Sequence, residues 1–316
     1  MVNVQISVII PVFNAERYLQ KAVESALIQG ETGEVLLVED NSPDGSLEIC
    51  KQLVRDNSKV KLYRHADGKN HGAGATRNLG IKKAQCEFVA FLDADDYYLP
   101  NRFKTARQCF EDDANCDGVY EAIGMHFYDQ EGKGRWIAQG GEMLTTLQEC
   151  VEPKLLFEHL LDKKKGYLHL DGLVLKKNLF KKCGYFPEHL KLHQDTALIY
   201  QVAAFGRLMP GRLAEPVALR GIHAENRITQ NKDKLASKYL LWETLFEWAF
   251  SKQLSWKRLT LLYRRHIESS YRLAKHNGKF QNGRWQRIKF IVNKLLDHPA
   301  LFSAAAISMI YDRAWK

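Results

Sequence analysis

The first hundred residues alternate two hydrophobic periods. "VQISVII" (4–10) is a β-branched run of strand length, stopped by Pro11. "AERYLQKAVESALIQG" (15–30) has apolar residues at 15, 18, 19, 22, 23, 26 and 27, a stripe of helical spacing, with Asn14 as N-cap and Gly30 as stop. The same alternation continues through a strand at 34–40, a helix at 44–56, a strand at 59–65, a helix at 74–85 and a strand at 87–93. Strands and helices joined this briefly predict right-handed crossovers and a buried, mostly parallel sheet flanked by helices, an α/β fold. Ligands collect at the carboxyl ends of such strands. Here those ends run into Pro11–Asn14, Asp40–Ser42 and Asp93–Asp96, so three polar or acidic clusters share one rim.

Past residue 100 the pattern loosens. A helix is expected at 102–112, a strand and turn at 118–133, then a strand and a helix within 166–186 and a further helix over 195–206. From about 230 the spacing is helical throughout, in "LASKYLLWETLFEWAFSK", "SWKRLTLLYRRHIESSYRLAKHN" and "RWQRIKFIVNKLLDH". Two domains are expected on this basis, 1–228 and a helical region over 229–316. The late apolar run "ALFSAAAISMIY" is well below the ~20 residues of a membrane span. "ISVIIPVF" is too short for a signal sequence, and the six cysteines form no CxxC pair, so reduced thiols in a cytoplasmic protein are expected.

Charge changes this picture. Residues 230–316 carry 17 Lys and Arg against six acids, a net +11; the whole chain is +9, which leaves −2 for residues 1–229. A near-neutral body with a basic helical region points to a polyanionic partner or an anionic membrane surface, such as the inner face of a plasma membrane. No nucleic-acid recognition motif is present. In the last helical segment Trp285, Ile288, Ile291, Val292, Leu295 and Leu296 lie on one side, with Arg284, Arg287, Lys289 and Lys294 around them. That pattern suits an interfacial helix, and equally a helix packed on its own domain.

The acids of "FVAFLDADDYYLP" repel one another unless a cation or a sugar hydroxyl offsets them. A divalent ion, Mg²⁺ or Mn²⁺, suits these hard oxygens, often while bridging to nucleotide phosphates. Capping of a following turn by Asp95 and Asp96 is the plainer alternative.

Four stretches occur in order: "ISVIIPVFNAERYL", a strand ending in Asp40-Asn41-Ser42, "NHGAGATRNLGIKKA" and "FVAFLDADDYYLP". Together they resemble the inverting family 2 glycosyltransferases, closely over 4–105 and less closely to about 230. The resemblance implies the GT-A fold of nucleotide-diphospho-sugar transferases, a metal-dependent transfer of a hexosyl or N-acetylhexosaminyl group, and a nucleotide-sugar donor, UDP-linked in the first instance. The acceptor would be a carbohydrate or lipid-linked hydroxyl. Carried over by position, Pro11, Phe13 and Asn14 would lie along the base, and Asp40 would hydrogen-bond it. Asn70, Gly72, Arg77 and Asn78 would border the nucleotide and diphosphate. Asp93 would lie by the ribose or the metal, and Asp95, in the DxD element, would bind the metal. His223, in "LRGIHAENRIT", would be a further ligand, with a satisfied loop histidine as the alternative. Asp195 would be the base that deprotonates the acceptor, although Gln194 stands where the family has Glu. An N-cap role for Asp195 is compatible with that work. Asp171 falls where acceptor-site residues lie, or simply in a core turn.

Three other functions fit the sequence less well. "GAGATRNLG" lacks the glycine spacing of a dinucleotide fingerprint and follows the third strand, not the first. The first strand has no Gly- and basic-rich loop of a sugar-phosphate nucleotidyltransferase. A degenerate transferase serving as a membrane or scaffold module is opposed by four intact acids, Asp40, Asp93, Asp95 and Asp195.

Overall fold

The computed structural model describes residues 4–162, 165–223 and 234–278, with 286, 289–290 and 292–293. Those residues divide into two compact units. The first runs through residue 189 and resumes from Gln194 to 223; the second holds Leu190–His193 and the described residues from 234 onward.

The first unit opens with the expected alternation: β1 (Ile6–Val12), α1 (Leu19–Leu27), β2 (Thr32–Glu39), α2 (Ser46–Asp56), β3 (Val60–Arg64), α3 (Gly72–Lys83) and β4 (Phe88–Phe91). It continues through β5 (Tyr97–Tyr98), α4 (Lys104–Asp112), β6 (Gly118–Tyr120), β7 (Ile123–Phe127), α5 (Gln130–Ala138), β8 (Leu144–Thr145), α6 (Leu156–Leu161), β9 (Leu173–Lys176), α7 (Leu179–Cys183), α8 (Gln194–Phe205), β10 (Leu208–Pro210) and β11 (Ala218–Ile222). Seven strands form the main sheet in the order β10-β6-β9-β4-β1-β2-β3. Only β9 runs against its neighbours. A second sheet has the order β5-β11-β7-β8.

β1 is apolar on both faces because it lies between β2 and β4 with helices above and below. Ile6, Val8, Ile9, Ile10 and Val12 are fully buried, each aliphatic side chain stabilising by roughly 1.5–3 kcal/mol relative to exposure. α3 packs on β1 at Gly80, where a Cβ would come within 2.4 Å of Ile9 Cγ2. Order reverses between β1 and β4, since β2 and β3 are added on one side and β4 on the other. This is the switch point where an α/β sheet opens a crevice.

Several expectations shift in detail. α1 begins four residues later than its stripe, because Asn14 adopts a left-handed φ of 52° and residues 15–18 form a turn first. The amides of the segment leading into α1 are satisfied from the 42–46 loop: Asn14 N–H donates to Ser42 Oγ, Ala15 N–H to Ser46 Oγ and Glu16 N–H to Asp44. The single strand expected near 118–133 is split into β6 and β7, in different sheets, and is followed by a helix. The split falls at Glu121, which is fully buried and paired with the equally buried Arg102 at 2.6 Å. β5, β8 and β10 are too short to carry a period, and β11 is interrupted by Arg220 and Gly221, so none of the four stands out in the sequence.

In the second unit α9 (Lys234–Ser251) and α10 (Trp256–His276) pair along Phe246–Tyr263 and Tyr239–His266, with ring centroids 4.8 and 5.4 Å apart. The third expected helix, 284–298, lies almost wholly outside the described residues. All six cysteines are free thiols.

Candidate active site

Asp40 ends β2 and caps α3. One carboxylate oxygen accepts from His71 N–H and the other from Gly72 N–H, both at 2.8 Å. Gly72 can offer its amide there because it holds a φ of 82°, which a side chain would strain. Asn70 Nδ2 donates to the Asp40 carbonyl at 2.9 Å. Each carboxylate oxygen has a second lone pair, so Asp40 can accept a further proton from a ligand. His65, with Nε2 at 3.7 Å, flanks it and stacks on His71; neither histidine was singled out in the sequence. Pro11 and Phe13 are half-buried and Asn14 is exposed at the end of β1. The hydrogen bonds from 14–16 into the 42–46 loop hold that segment beside Asp40.

On α3, Arg77 is buried and bonded to Asp93. Burial alone would raise the Asp93 carboxyl, but the guanidinium beside it, with His169 and Arg220, holds it below the usual range. Burial likewise opposes the charge on Arg77, and Asp93, Asp195 and Asp171 together outweigh that and keep it protonated. Arg77 is thus the cation around which three acids from separate segments gather. Asn78, one residue on, turns the other way: its side chain bonds Phe186 N–H, the Phe186 carbonyl and Glu188. It fixes the 186–188 loop to α3, a contact that no local pattern announced.

The acids at 93–96 have separate environments. Asp96 is buried; it accepts Gly221 N–H at 2.7 Å and faces the fully buried Asp171. Burial and the charges of Asp171 and Asp95 push Asp96 well above the carboxylate range, and burial raises Asp171 as well. Two carboxyls so enclosed retain a proton between them. Asp171 therefore stands beneath the acidic loop as part of its foundation.

Asp95 is half-exposed and lies 3.1 Å from His223 Nε2, although 128 residues separate them. Strand β11 brings the histidine there, and Gly221 makes the approach possible. A Cβ at 221 would sit 2.2 Å from the Asp95 carbonyl oxygen and 2.6 Å from the Tyr128 ring. An isolated glycine within a strand often marks such a close approach, so "LRGIH" held a signal that went unread. Tyr18 stacks on the His223 ring at 5.1 Å, and Tyr128 packs on Tyr18 at 4.6 Å. Asp93, Asp95 and Asp96 offer oxygens within 4.8 Å of one another. With Asp93 engaged by Arg77 and Asp96 by Gly221 and Asp171, the Asp95 carboxylate and the His223 imidazole are the donor pair that best fits a divalent ion.

Asp195 is the second residue of α8, half-buried, with Oδ1 accepting its neighbour Thr196 N–H at 2.8 Å. The preceding Gln194 lies on α3: a Cβ at Gly74 would meet its carboxamide at 2.9 Å. Gly74 thereby lets the start of α8 approach the helix that carries Arg77.

A family model, glycosyl transferase family 2, matches residues 7–169, just over half of the chain. The chain belongs to glycosyl transferase family 2. The chain is 41% identical over 100 residues to a glycosyltransferase of Haemophilus influenzae, covering 31% of this chain and 39% of that protein. It is 31% identical over 212 residues to the glycosyltransferase GlyG of Streptococcus pneumoniae, covering 62% and 66%. The minor teichoic acid biosynthesis protein GgaB of Bacillus subtilis is 28% identical over 204 residues, covering 62% of this chain and 21% of that protein. This chain thus spans less than two thirds of the length of these relatives. Among solved structures, S. aureus TarS 1–349 in complex with UDP-GlcNAc superposes with a TM-score of 0.66 at 20% identity, covering 98% of this chain and 89% of that one. That likeness is one of fold. The mostly parallel sheet with its flanking helices is the GT-A fold expected of family 2.

Proposed function

We propose that this family 2 member transfers a sugar, with inversion, from a UDP-sugar to an acceptor hydroxyl. The observation that carries the reading is the Asp95–His223 pair set at the switch point, on the rim that also holds Asp40. In this reading Asp40 accepts the imide proton of the base, and Pro11, Phe13 and Asn14 border the ring. Asn70 and Gly72 form the α3 side of the nucleotide crevice and Asn78 braces it by holding the 186–188 loop to α3, while Arg77 complements phosphate charge and Asp93 keeps its guanidinium in place. A divalent ion on Asp95 and His223 would neutralise the departing diphosphate. The imidazole nitrogen in that pair favours Mn²⁺ over Mg²⁺, which holds to oxygen. Asp195 takes the acceptor's proton as the hydroxyl attacks the anomeric carbon.

The TarS complexes with UDP-GlcNAc and with UDP make UDP-GlcNAc the first donor to test. The teichoic acid biosynthesis relatives suggest a cell-surface polymer as acceptor. We assign catalysis to residues 1–228 and peripheral contact with the anionic inner face of a plasma membrane to the basic 229–316 region. Among the described residues no helix is long and apolar enough to cross a membrane.

Calorimetric titration of UDP, with and without Mn²⁺, tests the donor site. Binding should require Mn²⁺ and fail in Asp95→Ala, and Asp195→Asn should keep binding while losing transfer by about 10²-fold or more. Full transfer by Asp195→Asn would remove the base assignment. Absence of UDP binding under both conditions would turn attention to another nucleotide or to a non-catalytic role.

A further inference from the structure

The turn joining α9 to α10 concentrates two features that helical packing alone disfavours. Phe250 and Trp256 are each 58% exposed on its two shoulders, the only large apolar side chains so exposed among the described residues of the second unit. A single exposed aromatic is unremarkable; two at one turn, set among cations, are not. Lys252 and Lys257 are exposed between and beside them, and Arg258 is half-buried. From Trp248 to Ile267 the sequence has five Lys and Arg and no acid.

Two of these cations, Lys257 and Arg258, occupy the first turn of α10, which holds no acidic residue. Positive charge there opposes the helix dipole and costs local stability. The backbone beneath is firmly closed. Leu254 N–H donates to the Ala249 carbonyl at 3.0 Å and Gln253 N–H to the Phe250 carbonyl at 3.1 Å. Gln253 takes the left-handed φ of 53° that this closure requires. The aromatics are therefore presented by a well-defined turn.

We propose that this turn is a docking surface for an anionic phospholipid bilayer, with Phe250 and Trp256 entering the headgroup boundary and Lys252, Lys257 and Arg258 meeting lipid phosphates. An apolar phenyl ring and an amphiphilic indole beside basic side chains match that boundary, where apolar burial and electrostatic attraction act together. A protein groove would need an acidic rim to meet these lysines, whereas the net basic character of residues 230–316 as a whole suits an extended anionic surface. The inference rests on the membrane contact assigned above to the basic 229–316 region, and narrows it to residues 250–258.

Co-sedimentation of the full chain with vesicles tests it. Wild type should sediment with 30% phosphatidylglycerol in phosphatidylcholine and remain in solution with phosphatidylcholine alone. Phe250→Ser/Trp256→Ser should weaken sedimentation by about tenfold or more, from the apolar area withdrawn. Lys252→Glu/Lys257→Glu, on exposed positions, should weaken it at least as much, since each basic residue near such a surface is worth about fivefold. Thermal melts and Mn²⁺-dependent UDP binding should match wild type in both variants. Wild-type sedimentation retained by both variants would overturn the turn as the surface while leaving membrane contact standing. A wild type that stays in solution with anionic vesicles would overturn both. Either failure leaves the donor-site reading untouched.

Discussion

The two sides of the main sheet are built on different principles. On the β4-β1-β2-β3 side, the strands run for four to eight residues and their interior is aliphatic, with Ile9, Ile10, Leu36 and Leu37 fully buried. On the β9-β6-β10 side, strands have three or four residues, and the centre is a buried ion pair. There Arg102 bonds Glu121, donates to the Asp171 carbonyl at 2.8 Å, and packs over Tyr98 and Phe103. One side is specified by the rhythm of apolar residues; the other is specified by polar partners far apart in sequence. The first tolerates conservative exchange, whereas the second depends on particular pairs.

The largest expected effect removes one member of the buried pair. Arg102→Met should cost about 3–5 kcal/mol in denaturant unfolding, because Glu121 is left charged and enclosed. Arg102→Met/Glu121→Leu should recover most of that loss, since buried pairs contribute little over apolar replacements of similar volume. A single variant within ~1 kcal/mol of wild type would erase the distinction between the two sides.

Two glycines sharpen it at intermediate size. Gly80→Ala, against Ile9 on the aliphatic side, and Gly221→Ala, against the Asp95 carbonyl, should each lose about 1–3 kcal/mol to overpacking. Only Gly221→Ala should also abolish Mn²⁺-dependent UDP binding, because its cost falls on the backbone that sets Asp95 and His223 together. Equal binding by the two variants would detach β11 from the ion site.

The smallest effect is pH-dependent and lies on the aliphatic side. Burial tends to raise Glu34, but Lys61, Ser7 and the Gln85 amide more than offset this and lower its folded-state pKa below the ordinary 4.5. Its contribution is present above that value and is lost as pH falls through the depressed one. Glu34→Gln should therefore cost about 1 kcal/mol at pH 7, with the gap from wild type closing as the melt is repeated from pH 5 to 3. A gap that widened in acid would reverse the sign.

The same contrast explains what the sequence disclosed. The three rim clusters were legible because strands of ordinary length place their following residues predictably, and Asp40, Asp93 and Asp95 stand where that reasoning put them. The separate tasks of the three acids in the 93–96 loop were not. Nothing in "DADD" distinguishes Asp96, which secures Gly221 over a proton-sharing Asp171, from Asp95 beside His223. Asn78 was read as bordering the nucleotide, and its amide is occupied with a loop 108 residues away. Local pattern reports which face a residue takes, while these contacts depend on strands of two to five residues whose register is set by tertiary structure alone.

The distance in sequence between Asp95 and His223 bears on how the molecule comes into being. During synthesis the acidic loop emerges more than a hundred residues before the imidazole that completes its donor pair. Contacts of such separation form after local ones, once the entropy of closing a long loop has been met. A nascent chain can thus fold its β1-β2-β4 rim early without acquiring the Asp95–His223 contact, which forms only when β11 is inserted between β5 and β7. The proposed ion site would double as a marker that the acidic loop and the second sheet of the first unit have been correctly paired.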